Sequence, residues 1–492
     1  MRLLHIDIDS LRPDHLGCYG YHRNTSPTID ALAARALRFT NCYVSDAPCL
    51  PSRTAFVSGC FGARTGVVGH GGTAADPFIQ GPTRGFRNRM LEAHWPECLA
   101  RRGVHTAAIS PFPNRHSAMH WNAGWRELHD TGLRGSETVE HVAPVAHNWI
   151  EQHAHRDNWC LFINFWDPHT PYRTPKSFPN PFADQPTPAW LTESVRRRHW
   201  EGCGPHSAQE VNGFDPEGWL KPGEYPAQPR QMVDMAAVRA MFDGYDTAVR
   251  YVDDQIARLF EHLASRGVLD ETAIVITADH GENLGELNIY GDHQTADHIT
   301  CRVPFILHWP GVTEALAGQA AGGLHYQFDL GATLLDLFGA AVPPHWDGRS
   351  LAGPIRAGSL PAGREFLVLS NQAWSCQRSV RWGDHLAIRS YHDGYHGFPE
   401  TMLFDVARDP HEQTDLAGKD PVLVAEAMRM LDGWTTEVAR GGFGGVDPMW
   451  TVLREGGPFH CRGYLRAYVD RLRATGRAGW ADHLAGRYPH EL

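Results

Sequence analysis

The sequence predicts an α/β protein. A large domain with a central, mostly parallel sheet between helices is followed by a smaller subdomain built on an antiparallel sheet. Three observations predict it. Residues 273–278 (Ala-Ile-Val-Ile-Thr-Ala) form a continuous apolar, β-branched run, as a strand covered on both faces does. Such runs alternate with helical patterns. The longest is 238–263, where Val238, Phe242, Tyr245, Val249, Val252, Ile256, Leu259 and Leu263 recur at helical spacing. After about residue 364 the pattern changes to short strands at 366–369, 379–382, 385–390 and 402–405. The expected division is therefore 1–363, with an insertion at about 175–231, and 364–492.

The length is ample for a large core and too great for one ordinary domain. A net charge of −11 excludes a nucleic-acid partner held by bulk charge. An anionic substrate therefore needs a locally positive pocket. No apolar stretch is long enough to span a bilayer, and residues 1–9 run into a strand without the apolar core of a leader. The ten cysteines show no pairing framework. The expectation is a reduced, cytoplasmic protein with no membrane partner.

In chain order, 3–9 alternates apolar and polar residues and reads as a strand ending in Asp9, where α/β proteins place functional carboxylates. Ser26-Pro27 opens a helix to Leu37, and 39–44 is a strand. It leads into 45–53, Ser-Asp-Ala-Pro-Cys-Leu-Pro-Ser-Arg. Pro51 fixes φ, and Ser52 is expected to cap a short helix that ends at Ser58-Gly59. Cys49 then lies just ahead of a helix N-terminus, which favours a nucleophile or an anion, with the Arg53 charge one turn away. His70 follows in a glycine-rich loop.

Next come a helix at 96–102, a strand at 104–110, a helix at 139–150 and a buried strand at 160–165. That strand delivers Asp167-Pro168-His169-Thr170-Pro171, a histidine held rigidly between prolines. The 175–231 insertion, rich in Pro, Trp and Gly, is expected to write specificity. The 273–278 strand delivers Asp279-His280, an oxygen and a nitrogen donor suited to a metal. A strand at 302–307 and helices at 328–338 and 422–434 follow. The tail after Gly441 is expected either to meet a second copy in a homo-oligomer or to lie as a surface arm. Plainer readings compete throughout: Cys49 as a buried turn residue, Asp9 as a helix cap, His169 as a structural histidine, His70 as a solvated one.

Cys49-Leu50-Pro51-Ser52-Arg53, with Thr65-Gly66 downstream, resembles the signature of the formylglycine-dependent (type I) sulfatases of the alkaline phosphatase superfamily. The resemblance implies an alkaline-phosphatase-like fold. It implies that a separate formylglycine-generating maturation enzyme oxidises Cys49 to formylglycine (3-oxoalanine), whose hydrate is the nucleophile. Residues 9–20 resemble the family's opening metal motif, with Ser10 in place of a second Asp. Asp279-His280 resembles a variant of the family's Asp-Asn pair. The implied metal ligands are Asp9, Cys49, Asp279 and His280, holding one divalent cation, Ca²⁺ or Mn²⁺. Arg53 is implied to help ionise the nucleophile. His169, which matches the family's His-x-Pro motif, and His293 are implied to protonate the leaving alcohol.

Two departures stand out. The family's Gly-Lys-x-His is absent from the loop Ser110-Pro111-Phe112-Pro113-Asn114-Arg115-His116, and Asp292 stands where a lysine is usual, with His293 the nearest cationic substitute. Loss of the Lys-His pair resembles the phosphonate monoester hydrolase branch. The implied activity is hydrolysis of a small anionic sulfuric ester, with phosphonate monoester or phosphodiester hydrolysis at the same site as the alternative. A non-catalytic binding protein and a two-zinc phosphatase are the remaining readings.

Overall fold

Strands that need cover on both faces dictate a sheet sandwiched by helices, and the computed structural model has that arrangement. It describes residues 1–78, 89–215, 227–441 and 446–492; residues 216–226 of the expected insertion lie outside them. The strands in chain order are β1 (Arg2–Ile8), β2 (Leu37–Tyr43), β3 (Asp46–Ala47), β4 (His105–Ile109), β5 (Glu127–His129), β6 (Trp159–Phe165), β7 (Thr272–Thr277), β8 (Asn283–Leu284) and β9 (Tyr290–Asp292). They continue with β10 (Arg302–His308), β11 (Ala320–Tyr326), β12 (Phe366–Asn371), β13 (Cys376–Trp382), β14 (His385–His392) and β15 (Thr401–Asp405).

Eight of them form the main sheet, in the order β11-β2-β10-β7-β1-β6-β4-β5. Register decides where chemistry can sit. β1 pairs parallel with β6 from Arg2↔Trp159 to Ile8↔Phe165, and with β7 from Arg2↔Thr272 to Asp7↔Thr277. The three carboxyl ends therefore finish level, so Asp9, the 166–169 turn and Asp279-His280 are neighbours. The 273–278 strand is parallel to β1 only; β10 runs antiparallel to both β7 and β2. The cause is the connection. After β7 the chain makes the β8–β9 hairpin and the helix His298–Cys301 and re-enters from the same end of the sheet.

The alternation in 3–9 does not mark a wet face. All of β1 is buried: His5 lies among Phe56, Trp95 and Phe162, and Asp7 meets Arg53. The expected helix from Ser26-Pro27 spans only Pro27–Ala33, because Leu37 joins β2 opposite Leu307. The 238–263 pattern is the helix Met235–Ser265, capped by the Asp234 side chain, which accepts from Ala237 N. Its apolar stripe is core, each fully buried large side chain stabilising by roughly 1.5–3 kcal/mol.

The second sheet has the order β15-β14-β13-β12-β3. β12 to β15 are antiparallel, but β3 joins parallel through Ser370↔Asp46 and Asn371↔Ala47. The two residues just ahead of the Pro48-Cys49 turn are thus pinned to this sheet, while the following helix packs on the main one. The tail is not a loose arm. Its helices Leu465–Ala474 and Ala478–Arg487 share a small core with Cys203, Phe214 and Tyr395. Among the described residues, no helix is long and apolar enough to cross a membrane.

Candidate active site

The helix that carries Cys49 begins with it. Cys49–Ser58 is one helix, with Pro48 at its N-cap and the first backbone bond from Ser52 N to Pro48 O, 3.0 Å. Pro51 fits because first-turn N–H groups have no intrahelical acceptor. The expected Ser52 cap is therefore corrected. Ser52 Oγ instead donates to the Asp279 carbonyl at 2.5 Å, tying the helix to the end of β7. Gly59 closes the helix in the left-handed conformation at φ 66°.

The site itself is an excess of buried negative charge. Arg53 donates to Asp7 Oδ2 at 2.5 Å and Asp9 Oδ2 at 2.9 Å, and its Nη2 lies 3.1 Å from Asp279 Oδ2. One guanidinium thus faces three carboxylates. Burial raises Asp7 to about 7 against the pull of Arg53, and it raises Asp279 as well. Asp279 Oδ2 accepts no hydrogen bond. Three buried carboxylates that share one guanidinium are only partly compensated, and a cation would offset the remainder. One donor atom from each of Asp9, Cys49, Asp279 and His280 lies within 4.8 Å of the others, and all four residues are buried. The four residues fit a single divalent cation.

Local hydrogen bonds aim the donors. His280 Nδ1 lies 2.8 Å from the Gly281 carbonyl, which can only accept, so Nδ1 carries the proton and Nε2 offers its lone pair to the site. Ser10, in the position of the second acidic ligand, takes φ 61°; its Oγ donates to Asp9 Oδ1 at 3.0 Å and its N–H to Asp279 Oδ1 at 3.3 Å. It orients both carboxylates and adds no charge. Burial, reinforced by Asp9 and Asp279, holds the Cys49 thiol well above its usual range.

Cys49 opens onto a cavity of about 1000 Å³ that His70, His116, His169, His293 and Arg115 also line. The volume exceeds what a sulfate group needs and leaves room for the organic part of an ester. His169 Nδ1 is committed to the Thr170 carbonyl at 2.7 Å, and burial lowers this histidine to about 4. His293 rests against the His280 ring at 4.0 Å, with its Nδ1 3.0 Å from Glu282 Oε2. Burial pushes Glu282 well above the carboxylate range and His293 well below the imidazole range. The proton shared by that pair therefore rests on Glu282, which leaves a neutral His293 with its N–H on Nε2. Asp292 Oδ2 lies 3.1 Å from His206 Nε2, and His298 meets Tyr43 Oη at 3.0 Å in the core, off the cavity.

Motif reading misses three features. Arg115 and His116 face the cavity from the turn after β4, so the loop without Lys and His still brings a cation and an imidazole. A search for the same chemistry anywhere in 110–116, rather than at fixed spacing, would have found them. Glu282 was visible only as the residue three after Asp279. Phe459, His460, Arg462 and Tyr464 of the tail wall the cavity opposite insertion residues such as Phe214, and no local pattern signals that.

The chain has the fold of solved sulfatases and phosphonate monoester hydrolases. More narrowly, the chain belongs to the sulfatase family, whose model matches residues 2–340, and it is a sulfuric ester hydrolase. It is 25% identical over 429 residues to a choline-sulfatase of Rhizobium meliloti (strain 1021), covering 80% of this chain and 77% of that one. The solved structure of a 2-O GAG sulfatase superposes with a TM-score of 0.67 at 19% identity, covering 89% of this chain and 92% of the other. The phosphonate monoester hydrolase of Agrobacterium radiobacter has the same fold: TM-score 0.64 at 18% identity, covering 89% and 96%.

Proposed function

We propose that the chain hydrolyses a small anionic sulfuric ester at Cys49, acting as formylglycine, with one divalent cation held by Asp9, Asp279, His280 and residue 49. The observation that carries this is the convergence of these four buried residues at one end of a cavity large enough for an ester. The cation supplies positive charge that offsets Asp9 and Asp279 and polarises oxygen ligands. One imidazole, and Ser10 in place of a second carboxylate, favour Mn²⁺ over Ca²⁺. Oxidation of Cys49 to formylglycine by a maturation enzyme would supply an oxygen nucleophile where the native thiol stays protonated. The ten free cysteines accord with a reducing, cytoplasmic setting.

The remaining steps belong to side chains in place. Arg53 holds the Asp9 and Asp279 carboxylates rather than the substrate. Arg115 is the cation placed to receive the ester's anionic oxygens, with His116 and His70 beside it. His293 donates its Nε2 proton to the departing alkoxide and draws a replacement from Glu282 through Nδ1. His169, with Nδ1 on a carbonyl, presents a lone pair on Nε2 and so stands ready as a base or a contact.

Mass spectrometry of the Cys49 peptide after co-expression with the maturation enzyme tests the nucleophile. Conversion to the aldehyde is expected, and an unmodified thiol in fully active protein overturns the reading. Replacement of the Lys-His pair by Arg115 and His116 also suits a tetrahedral phosphonate. Initial rates on matched nitrophenyl sulfate and phenylphosphonate esters decide, a large phosphonate preference reversing the assignment.

A further inference from the structure

The far end of the main sheet carries a second cluster of metal-ligating groups. β4 begins at His105, and β5, which pairs with it at the sheet edge, carries Glu127 and His129 on one face. The helix Val139–His153 ends above them with His153. Glu127 Oε1 lies 2.6 Å from His105 Nε2 and 3.6 Å from His153 Nε2; its Oε2 accepts from Trp149 Nε1 at 2.9 Å and lies 3.1 Å from His129 Nε2. One donor atom each from His105, Glu127 and His153 lies within 4.8 Å of the others.

The decisive contact is the one at 3.6 Å. His153 Nδ1 lies 3.0 Å from the Trp149 carbonyl, which can only accept, so in the neutral ring Nδ1 holds the proton. Nε2 then turns a lone pair toward a carboxylate oxygen, acceptor against acceptor. A cation between them converts that opposition into two bonds. Two further features favour a cation here. The site lies at the C-terminal end of a 15-residue helix, where the dipole is negative. The indole bond on Oε2 fixes the carboxylate in the manner of an outer-shell partner, leaving Oε1 for the ion.

We propose that His105, Glu127 and His153 form a second metal site, one that takes zinc or a similar borderline transition metal and staples the short edge strand β5 to the helix. Two imidazoles and one carboxylate form a known zinc donor set with one position left for water, and they disfavour Ca²⁺. His105 moves its proton from Nε2 to the partly exposed Nδ1 side, and His153 already has the required tautomer.

The test is Zn²⁺ binding by the full-length protein in excess Ca²⁺, by equilibrium dialysis and calorimetry, beside His105→Ala, Glu127→Gln and His153→Ala. The wild type is expected to bind one more Zn²⁺ per chain than each variant, or to bind that ion at least tenfold more tightly. Aryl sulfate hydrolysis should stay within about twofold, since the cluster lies at the opposite strand ends from the catalytic cavity. Co²⁺ should give a four-coordinate visible band that His105→Ala removes. Should a variant misfold by circular dichroism, His105→Asn, at a partly exposed position, replaces it. Equal zinc stoichiometry and affinity with identical Co²⁺ spectra in wild type and variants overturn the proposal and leave a hydrogen-bonded His-Glu cluster only.

Discussion

Sγ of Cys49 lies 3.1 Å from Nε2 of His280, and the Gly281 carbonyl fixes that imidazole with its lone pair toward the sulfur. The protonated thiol donates to that lone pair, and a cation held by both side chains would take the proton's place. His280→Ala removes the only nitrogen donor among the four proposed ligands. Its metal affinity is expected to fall at least tenfold and kcat/KM by about a hundredfold or more. Chelation of the wild type should abolish turnover, and adding back Mn²⁺ should restore it. Metal content per chain, measured beside activity, checks both. Full activity in metal-free protein would remove the cation from the reaction.

Arg115 lines the cavity from the loop that lacks the Lys-His pair, and it is the cation proposed to meet the ester's anionic oxygens. Its guanidinium carbon lies over the Trp166 ring at 5.1 Å, beside the cavity. Arg115→Ala should raise KM for an aryl sulfate about tenfold and lower kcat/KM about a hundredfold, with Arg115→Lys recovering part of the loss. Steady-state kinetics on the three proteins decide. An unchanged KM in Arg115→Ala would move the anion contact to Arg134 or Arg462.

His293 and His169 share a wall, ring to ring at 5.4 Å, but their hydrogen bonds differ. The Glu282 pairing gives His293 a proton on Nε2, whereas the Thr170 carbonyl leaves His169 without one. His293→Ala should therefore cost about 10²–10⁴ in kcat/KM on an alkyl sulfate, whose leaving group needs a proton, and less than about tenfold on 4-nitrophenyl sulfate. His169→Ala should lower both rates by similar factors. Rates across a leaving-group series separate the two residues, and a flat series for His293→Ala would transfer the role of acid to His169.

The strand ends were legible because a continuous apolar run followed by Asp-His has few structural meanings. Residues 273–278 foretell both β7 and the placement of Asp279. The direction of β10 was not legible, since strand polarity is set by where the preceding loop returns and not by the strand's own residues. Ser52 shows the limit of local rules. A serine at a helix start reads as a cap, yet a carbonyl 227 residues away takes its hydroxyl. The tail residue Tyr464 reaches the cavity by stacking on Phe214, 250 residues earlier, which periodicity cannot encode.

His94 offers a test of stability that does not involve catalysis. Its ring is fully buried with neither nitrogen hydrogen-bonded, and burial lowers its pKa from the ordinary 6.5 to about 3. The unfolded chain therefore takes up the proton first. The stability associated with this group is intact above about pH 6.5 and is lost progressively as pH falls toward about 3. At roughly 1.4 kcal/mol per pH unit, the loss between pH 7 and pH 5 is about 2 kcal/mol. His94→Leu keeps an apolar group of similar reach and removes the titration. Relative to wild type it should gain about 2 kcal/mol on going from pH 7 to pH 5, whatever its offset at pH 7. Urea unfolding at the two pH values measures the difference directly. Equal pH dependence in both proteins would mean that the folded His94 protonates as readily as the unfolded one, through an opening of its pocket.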